Sequence, residues 1–170
     1  MVVNFFFQEK QITLSNRNRL KLFIKRLFKA EKKHLGSINY VFCSDKALLD
    51  INQRFLKHNY YTDIISFNLS NDPAVIEGEI YISVDRVREN AQNLGVTLKE
   101  ELHRVIFHGA LHLCRYKDKT APEKNKMTKT EDKYLGLYFF ERSTLKNISP
   151  CNIFSRGTPP GYNLQINYLR

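Results

Sequence analysis

Val105-Ile106-Phe107-His108-Gly109-Ala110-Leu111-His112-Leu113-Cys114-Arg115-Tyr116-Lys117-Asp118-Lys119 is the stretch on which the reading of this 170-residue chain turns. His108 and His112 stand four residues apart inside an apolar run, and a turn-prone charged segment carrying Asp118 follows. Four-residue spacing puts both imidazoles on one helical face, one turn apart, where they can point at one metal ion. Gly109 lets something approach the helix between them. An oxygen ligand on the segment leaving the helix completes three-point coordination. Two histidines at this spacing are not specific alone, because a histidine on an apolar face is more often a hydrogen-bonded core residue. In a zinc protease the helical motif also carries a glutamate base. Here Gly109 and Ala110 hold those interior positions, which disfavours a protease. Three protein ligands with an open fourth position is the pattern of catalytic zinc. Two imidazoles and a carboxylate suit zinc, while the carboxylate also admits a harder ion.

The segments around this stretch supply its frame. Val2 to Gln8 reads as a strand from its β-branched and aromatic content. Ser15 or Asn16 caps a helix to about Lys33, with Leu20, Phe23, Ile24, Leu27 and Phe28 as its buried stripe. Gly36 ends that region, and Ile38 to Cys43 alternates as a strand. Ser44 or Asp45 caps a helix to about Phe55. Thr62 to Leu69 is apolar without a break at its centre, which predicts a strand internal to a sheet. Glu77 to Val84 alternates as a further strand. Asp85 is the expected cap of a helix over Val87 to Leu94, closed by Gly95. Thr97 and Glu100 form a capping box that opens the histidine helix. Pro122, taken as the first helical residue, starts a last helix to about Arg142. The expected fold is α+β: about four strands in a small mixed sheet, about five helices, and a metal site on a buried HxxxH helix.

Composition narrows the function classes. The net charge of +10 favours a polyanionic partner, most simply nucleic acid. Cys43, Cys114 and Cys151 form no CxxC pair, which speaks against a disulfide framework or a thiolate zinc site and fits a reducing cytosol. The apolar start, Met1 to Phe7, is too short for a signal peptide, and no run approaches the ~20 apolar residues of a membrane span. No nucleotide cofactor and no membrane partner are expected. From Arg142 to Arg170 there is no Asp or Glu and there are four basic residues. We therefore divide the chain into a folded domain, 1–141, and a basic, irregular tail, 142–170.

Phe107 to Asp118 resembles the signature of the YbeY family of ribosomal-RNA maturation endoribonucleases, usually HGxLHLxGYDH. Tyr61-Thr62-Asp63-Ile64-Ile65-Ser66-Phe67 is similar to the family's P-T-D-V-L-S-F strand, and Glu77-Gly78-Glu79-Ile80-Tyr81-Ile82-Ser83 to its L-G-D-I-x-I-S strand. The resemblance covers roughly residues 1 to 141. It implies an α+β, metal-dependent, single-strand-preferring RNase acting in 16S rRNA 3′-end maturation and ribosome quality control, with one Zn2+ ion. The implied partners are single-stranded RNA, an rRNA precursor or a ribosomal subunit, in the cytoplasm. The alternative is a non-catalytic RNA- or ribosome-binding assembly factor with a structural zinc, for which Cys114 or His58 would be the fourth ligand.

The sequence departs from the family at three positions. The third histidine falls on Asp118, so the implied ligands are His108, His112 and Asp118. The glycine before the motif's tyrosine is Arg115, which strains a turn needing positive φ or extends a cation over the cleft. The family's loop arginine falls on Leu56, so no catalytic residue is assigned beyond the metal site, and Arg54 is out of register. Phosphate contacts then fall to Lys57, His58, Arg115, Lys117 and Lys119. Tyr60, Tyr61 and Tyr116 are candidates for base stacking.

Overall fold

The computed structural model describes residues 1–8 and 12–146. Strands β1 (Val2–Phe7), β2 (His34–Cys43), β3 (Ile64–Asn68) and β4 (Val75–Ser83) form one mixed sheet in the order β1-β2-β4-β3. β1 pairs with β2, and β2 with β4, in parallel; β3 runs antiparallel to β4. Helices α1 (Arg17–Ala30), α2 (Asp45–Ile51), α3 (Val84–Leu94), α4 (Leu98–Leu113) and α5 (Ala121–Lys146) complete the fold, with a π-helical turn at Asn52–Leu56. The expected α+β class, four strands and five helices are those observed. No helix among the described residues is long and apolar enough to cross a membrane.

Strand alternation gives the sheet two apolar faces. Ile76, Ile80 and Ile82 of β4 join the main core with Leu20, Ile24 and Phe28 of α1 and Val105, Ile106 and Phe107 of α4. Cys43, Leu48 and Ile65 form a smaller cluster on the other face, with Phe67 and Tyr81 against it. This corrects one expectation: β3 is an edge strand, bonded only to β4. Its unbroken apolar run has another cause, since Ile64 packs toward the main core and Ile65 into the smaller one. Such a run reports two covered faces and says nothing about a strand's place across the sheet.

Helix ends shift by small amounts for identifiable reasons. α1 stops at Ala30, and β2 starts at His34 with Gly36 inside it, where the register slips between Leu35 and Ser37. Asn16 takes the N-cap place of α1 in a left-handed conformation, without a side-chain bond. Ser83, not Asp85, caps α3, its hydroxyl accepting from the Arg86 amide; Asp85 instead accepts from the Asp45 amide. Thr97 caps α4 as expected, 3.1 Å from the Glu100 amide. At α5 the cap is Thr120, whose amide donates to Glu123 and whose hydroxyl accepts in return, so Pro122 is the second helical residue. α5 continues through Lys146, so 142–146 are helical rather than irregular. The remainder of the expected tail, 147–170, lies outside the described residues.

α4 is the central post, with twelve of its sixteen residues buried. Leu102, Val105, Ile106, Phe107 and Leu111 are almost fully covered, each contributing on the order of 2 kcal/mol of apolar burial. What approaches α4 at Gly109 is the sheet: a Cβ there would stand 2.7 Å from Ile64 Cδ1 and 2.9 Å from Ile80 Cγ2. Gly109→Ala therefore pushes the helix off β3 and β4, and costs about 1–3 kcal/mol in a denaturant titration.

His103, on the same helix, is buried, stacked 4.9 Å from the Tyr138 ring, with Nδ1 2.6 Å from the Lys99 carbonyl. Burial, reinforced by the Arg19 charge, holds its imidazole down to about 4, against an ordinary 6.5. The unfolded chain thus binds the proton first, so stability is full above pH 6.5 and is lost as pH falls toward 4. Its share is about 3 kcal/mol. Melting curves across that window should show a smaller acid loss in His103→Phe than in the wild type.

Candidate metal centre

His108 and His112 project from the last turns of α4, and Asp118 from the segment leaving it. The two Nε2 atoms are 2.8 Å apart. Asp118 Oδ2 stands 3.7 Å from the first and 3.5 Å from the second. Two ligand atoms on one tetrahedral zinc, each ~2.05 Å from the ion, are about 3.3 Å apart, and the three separations bracket that value.

The ring hydrogens agree with the distances. His108 Nδ1 lies 2.6 Å from Glu131 Oε1, and His112 Nδ1 lies 3.0 Å from the Tyr116 carbonyl. Both partners only accept, so each Nδ1 is the N–H donor, and a neutral ring then carries its lone pair on Nε2. Two lone pairs facing each other at 2.8 Å repel unless an electrophile lies between them. Burial first, then the neighbouring His108 ring, lowers the His112 pKa and keeps it in the neutral, ligating form. A single metal ion fits this donor set, and among the described residues no other His, Cys, Asp or Glu joins it. Cys114 is buried, its thiol pushed up to about 12 chiefly by desolvation, and His58 stacks on Tyr60 with ring centroids 5.1 Å apart. Neither joins the cluster.

Glu131 was not anticipated from the sequence. Its carboxylate is buried between α4 and α5, and it also accepts from Arg104 Nη1 at 3.1 Å. Asp132 Oδ1 lies 2.7 Å from the same Arg104 nitrogen. A signal was available: Met127, Glu131, Tyr134, Leu135 and Tyr138 share one helical stripe. A carboxylate in an apolar stripe needs a partner, and the partner here is a histidine with an arginine.

The three candidate ligands open on a groove of about 1200 Å³. Its walls include Tyr61 and Ile64 on one side, Arg86 and Asn90 of α3, and Lys124 and Thr128 of α5. Of the three candidate stacking rings, only Tyr61 lines this groove; it is half exposed, with the Arg86 guanidinium 4.8 Å over its face. Tyr60 pairs with His58, and the Tyr116 phenol donates to Glu31 at 2.9 Å. Lys57, His58, Lys117 and Lys119 are exposed and stand outside the lining, as do Arg54 and Leu56 of the π-helical turn. Arg115 borders a different pocket. It stands at φ 73, the left-handed conformation that the family's glycine implied. The Arg115 amide bonds the His112 carbonyl and the Tyr116 amide bonds that of Leu111, a pattern that closes α4.

A mixed four-stranded sheet carrying a His-His-Asp cluster on a buried helix, open to a wide groove, defines a compact α+β protein built around a metal-capable centre. The sequence profile described as "Endoribonuclease YbeY" matches residues 4–138, and the chain belongs to that family. The endoribonuclease YbeY of Cytophaga hutchinsonii is 48% identical over 136 residues, covering 80% of this chain and 95% of that one. That of Christiangramia forsetii is 40% identical over 139 residues, 81% of this chain and 95% of its own length. Among solved structures, a Thermotoga maritima protein matches at TM-score 0.55 and 25% identity, over 90% of this chain and 100% of that one.

Replacing Glu131 by Leu removes the carboxylate that holds both Arg104 and His108. The expected loss is on the order of 3 kcal/mol in chemical denaturation, since the buried arginine keeps only part of its compensation.

Proposed function

We propose that this chain is a zinc-dependent endoribonuclease that cleaves single-stranded RNA, with one ion held by His108, His112 and Asp118. Its place is the cytoplasm, in 16S rRNA 3′-end maturation and ribosome quality control. The observation that carries this reading is the convergence of two Nε2 lone pairs and a carboxylate on the floor of an open groove. The family supports the RNA substrate, and the +10 charge supports a polyanion independently.

An ion bound there supplies Lewis acidity toward a phosphodiester oxygen. The chain's own residues do the rest. Glu131 and the Tyr116 carbonyl keep each Nδ1 protonated and each ring in one orientation, the role of a carboxylate or carbonyl behind a ligating histidine. Asp118 in place of a third histidine makes the centre one charge more negative. Arg86 and Lys124 border the groove where backbone phosphates pass, and Tyr61 offers a ring face to a base. Lys57, His58, Lys117 and Lys119 make outer contacts only. The absence of a fourth protein ligand among the described residues supports an enzyme over a binding factor with a structural zinc.

Metal analysis of the purified protein, combined with cleavage of a single-stranded RNA, tests the reading. The wild type is expected to carry one zinc per chain and to cut the RNA. His112→Ala should lose the metal, and its rate should fall on the order of a thousandfold, the several kcal/mol such an ion supplies. Full RNase activity in His112→Ala overturns it, and zinc with RNA binding but no cleavage assigns the chain to the assembly-factor class instead.

A further inference from the structure

A second pocket, of about 250 Å³, shares only His112 with the groove. Three stretches far apart in sequence build it, one of them β3 with the turn that follows. Lys33 follows α1, Ser66 and Asn68 belong to β3, Pro73 and Ala74 lie in the β3–β4 turn, and Arg115 closes α4. No acidic residue lines it. Lys33 and Arg115 make no ion pair among the described residues. Of the neighbouring carboxylates, Glu31 is taken up by the hydroxyls of Tyr116 and Tyr134, and Asp72 accepts from the Ala74 amide. Asn68 uses its oxygen to accept from the Ser70 amide, so its nitrogen remains as a donor.

One observation goes beyond a patch of positive charge. Ser66 Oγ is buried and has no hydrogen-bond partner. A buried hydroxyl without a partner is a standing cost, which would be relieved by an acceptor reaching it from the pocket that Ser66 lines. The left-handed turn that closes α4 places Arg115 on the pocket wall. Two cations, a hydroxyl and an amide donor, without a carboxylate, are the chemistry of an anion with several oxygens.

We propose that this pocket is a phosphate subsite, which binds the RNA backbone phosphate adjoining the one at the histidines. The strand would then pass over His112, from the groove into the pocket. This rests on the nuclease reading above, so the test separates the two. The full chain is titrated with a 2′-O-methyl RNA oligonucleotide, verified intact after the titration, over a range of NaCl concentrations, and separately with inorganic phosphate, following backbone amide resonances. Cleavage of the unmodified RNA by the wild type is measured alongside.

Lys33→Gln and Arg115→Gly should each weaken RNA binding several-fold and lower the slope of log K against log salt by about 0.7, the value for one phosphate on a single strand. Ser66→Ala should weaken binding with the slope unchanged. Arg115→Gly should also melt higher than the wild type, which separates lost contact from lost folding. Phosphate should shift the Ser66, Asn68 and Arg115 amides in the wild type and not in Lys33→Gln. Unchanged affinity and slope in both charge variants, with the wild type cutting RNA, overturns the subsite and leaves the nuclease standing. A wild type that neither binds nor cuts RNA overturns the nuclease reading and the RNA assignment together, and the phosphate titration then supports or overturns the anion site alone.

Discussion

The carboxylate of Glu131 is the interaction on which the rest of the centre depends. It lies between two helices, bonded on one side to the Nδ1 of His108 and on the other to Arg104. An ionised carboxylate in that position is costly unless its neighbours compensate it. The arginine supplies the charge and the histidine the second hydrogen bond. One group thereby fixes a ring, fixes a tautomer and locks α5 against α4. The second histidine is fixed more simply, by the carbonyl of the turn that ends its own helix. The two rings are therefore held by different means, one through tertiary packing and one through local chain geometry.

That division explains why α4 must be so deeply buried. A helix whose exposed end carries two converging imidazoles needs its remaining surface anchored, or the Nε2 atoms would not stay in register. The sheet supplies the anchor by closing on Gly109 from the side of Ile64 and Ile80. α1 and α5 cover the other sides with Phe23, Phe28, Tyr134 and Tyr138. Arg19 of α1 joins this cover, its guanidinium 4.4 Å over the Tyr138 ring, while the exposed Arg17 lies 4.4 Å over Phe7 of β1. Part of the +10 charge is thus engaged in packing, and at the groove Arg86 is paired with Asp45 and Glu89.

The turn after α4 has three duties. Its carbonyl at Tyr116 orients His112, the phenol of the same residue is tied to Glu31 at the end of α1, and Arg115 before it reaches the second pocket. Asp118 follows on the same segment, so the geometry of one short turn sets a ring orientation, the position of a carboxylate and the placement of a cation. A left-handed residue in such a turn is a mechanical requirement of the helix ending, whichever side chain occupies it.

The sequence by itself determined what is encoded within a few residues. Histidines at four-residue spacing, the Thr97 cap, the Gly95 stop and the aspartate ten residues after His108 were all legible, because helix periodicity and capping are local; the left-handed turn at Arg115 was implied only through the family's glycine, as one of two alternatives. The number of strands and helices followed from the same periodicities. Only the tertiary structure decided what faces what. Glu131 meets His108 because α5 crosses α4, and no local rule sets that crossing, although a carboxylate in an apolar stripe marked the place. β3 proved an edge strand because burial on two faces and position across a sheet leave the same apolar run. Lys33, Ser66 and Arg115 meet in one pocket only when α1, β3 and α4 are packed, and the lysines legible as phosphate contacts near the motif stand outside the groove. The physical reason is the same in each case: backbone hydrogen bonding and side-chain period act over one or two turns, while partners across elements are chosen by the packing of whole faces.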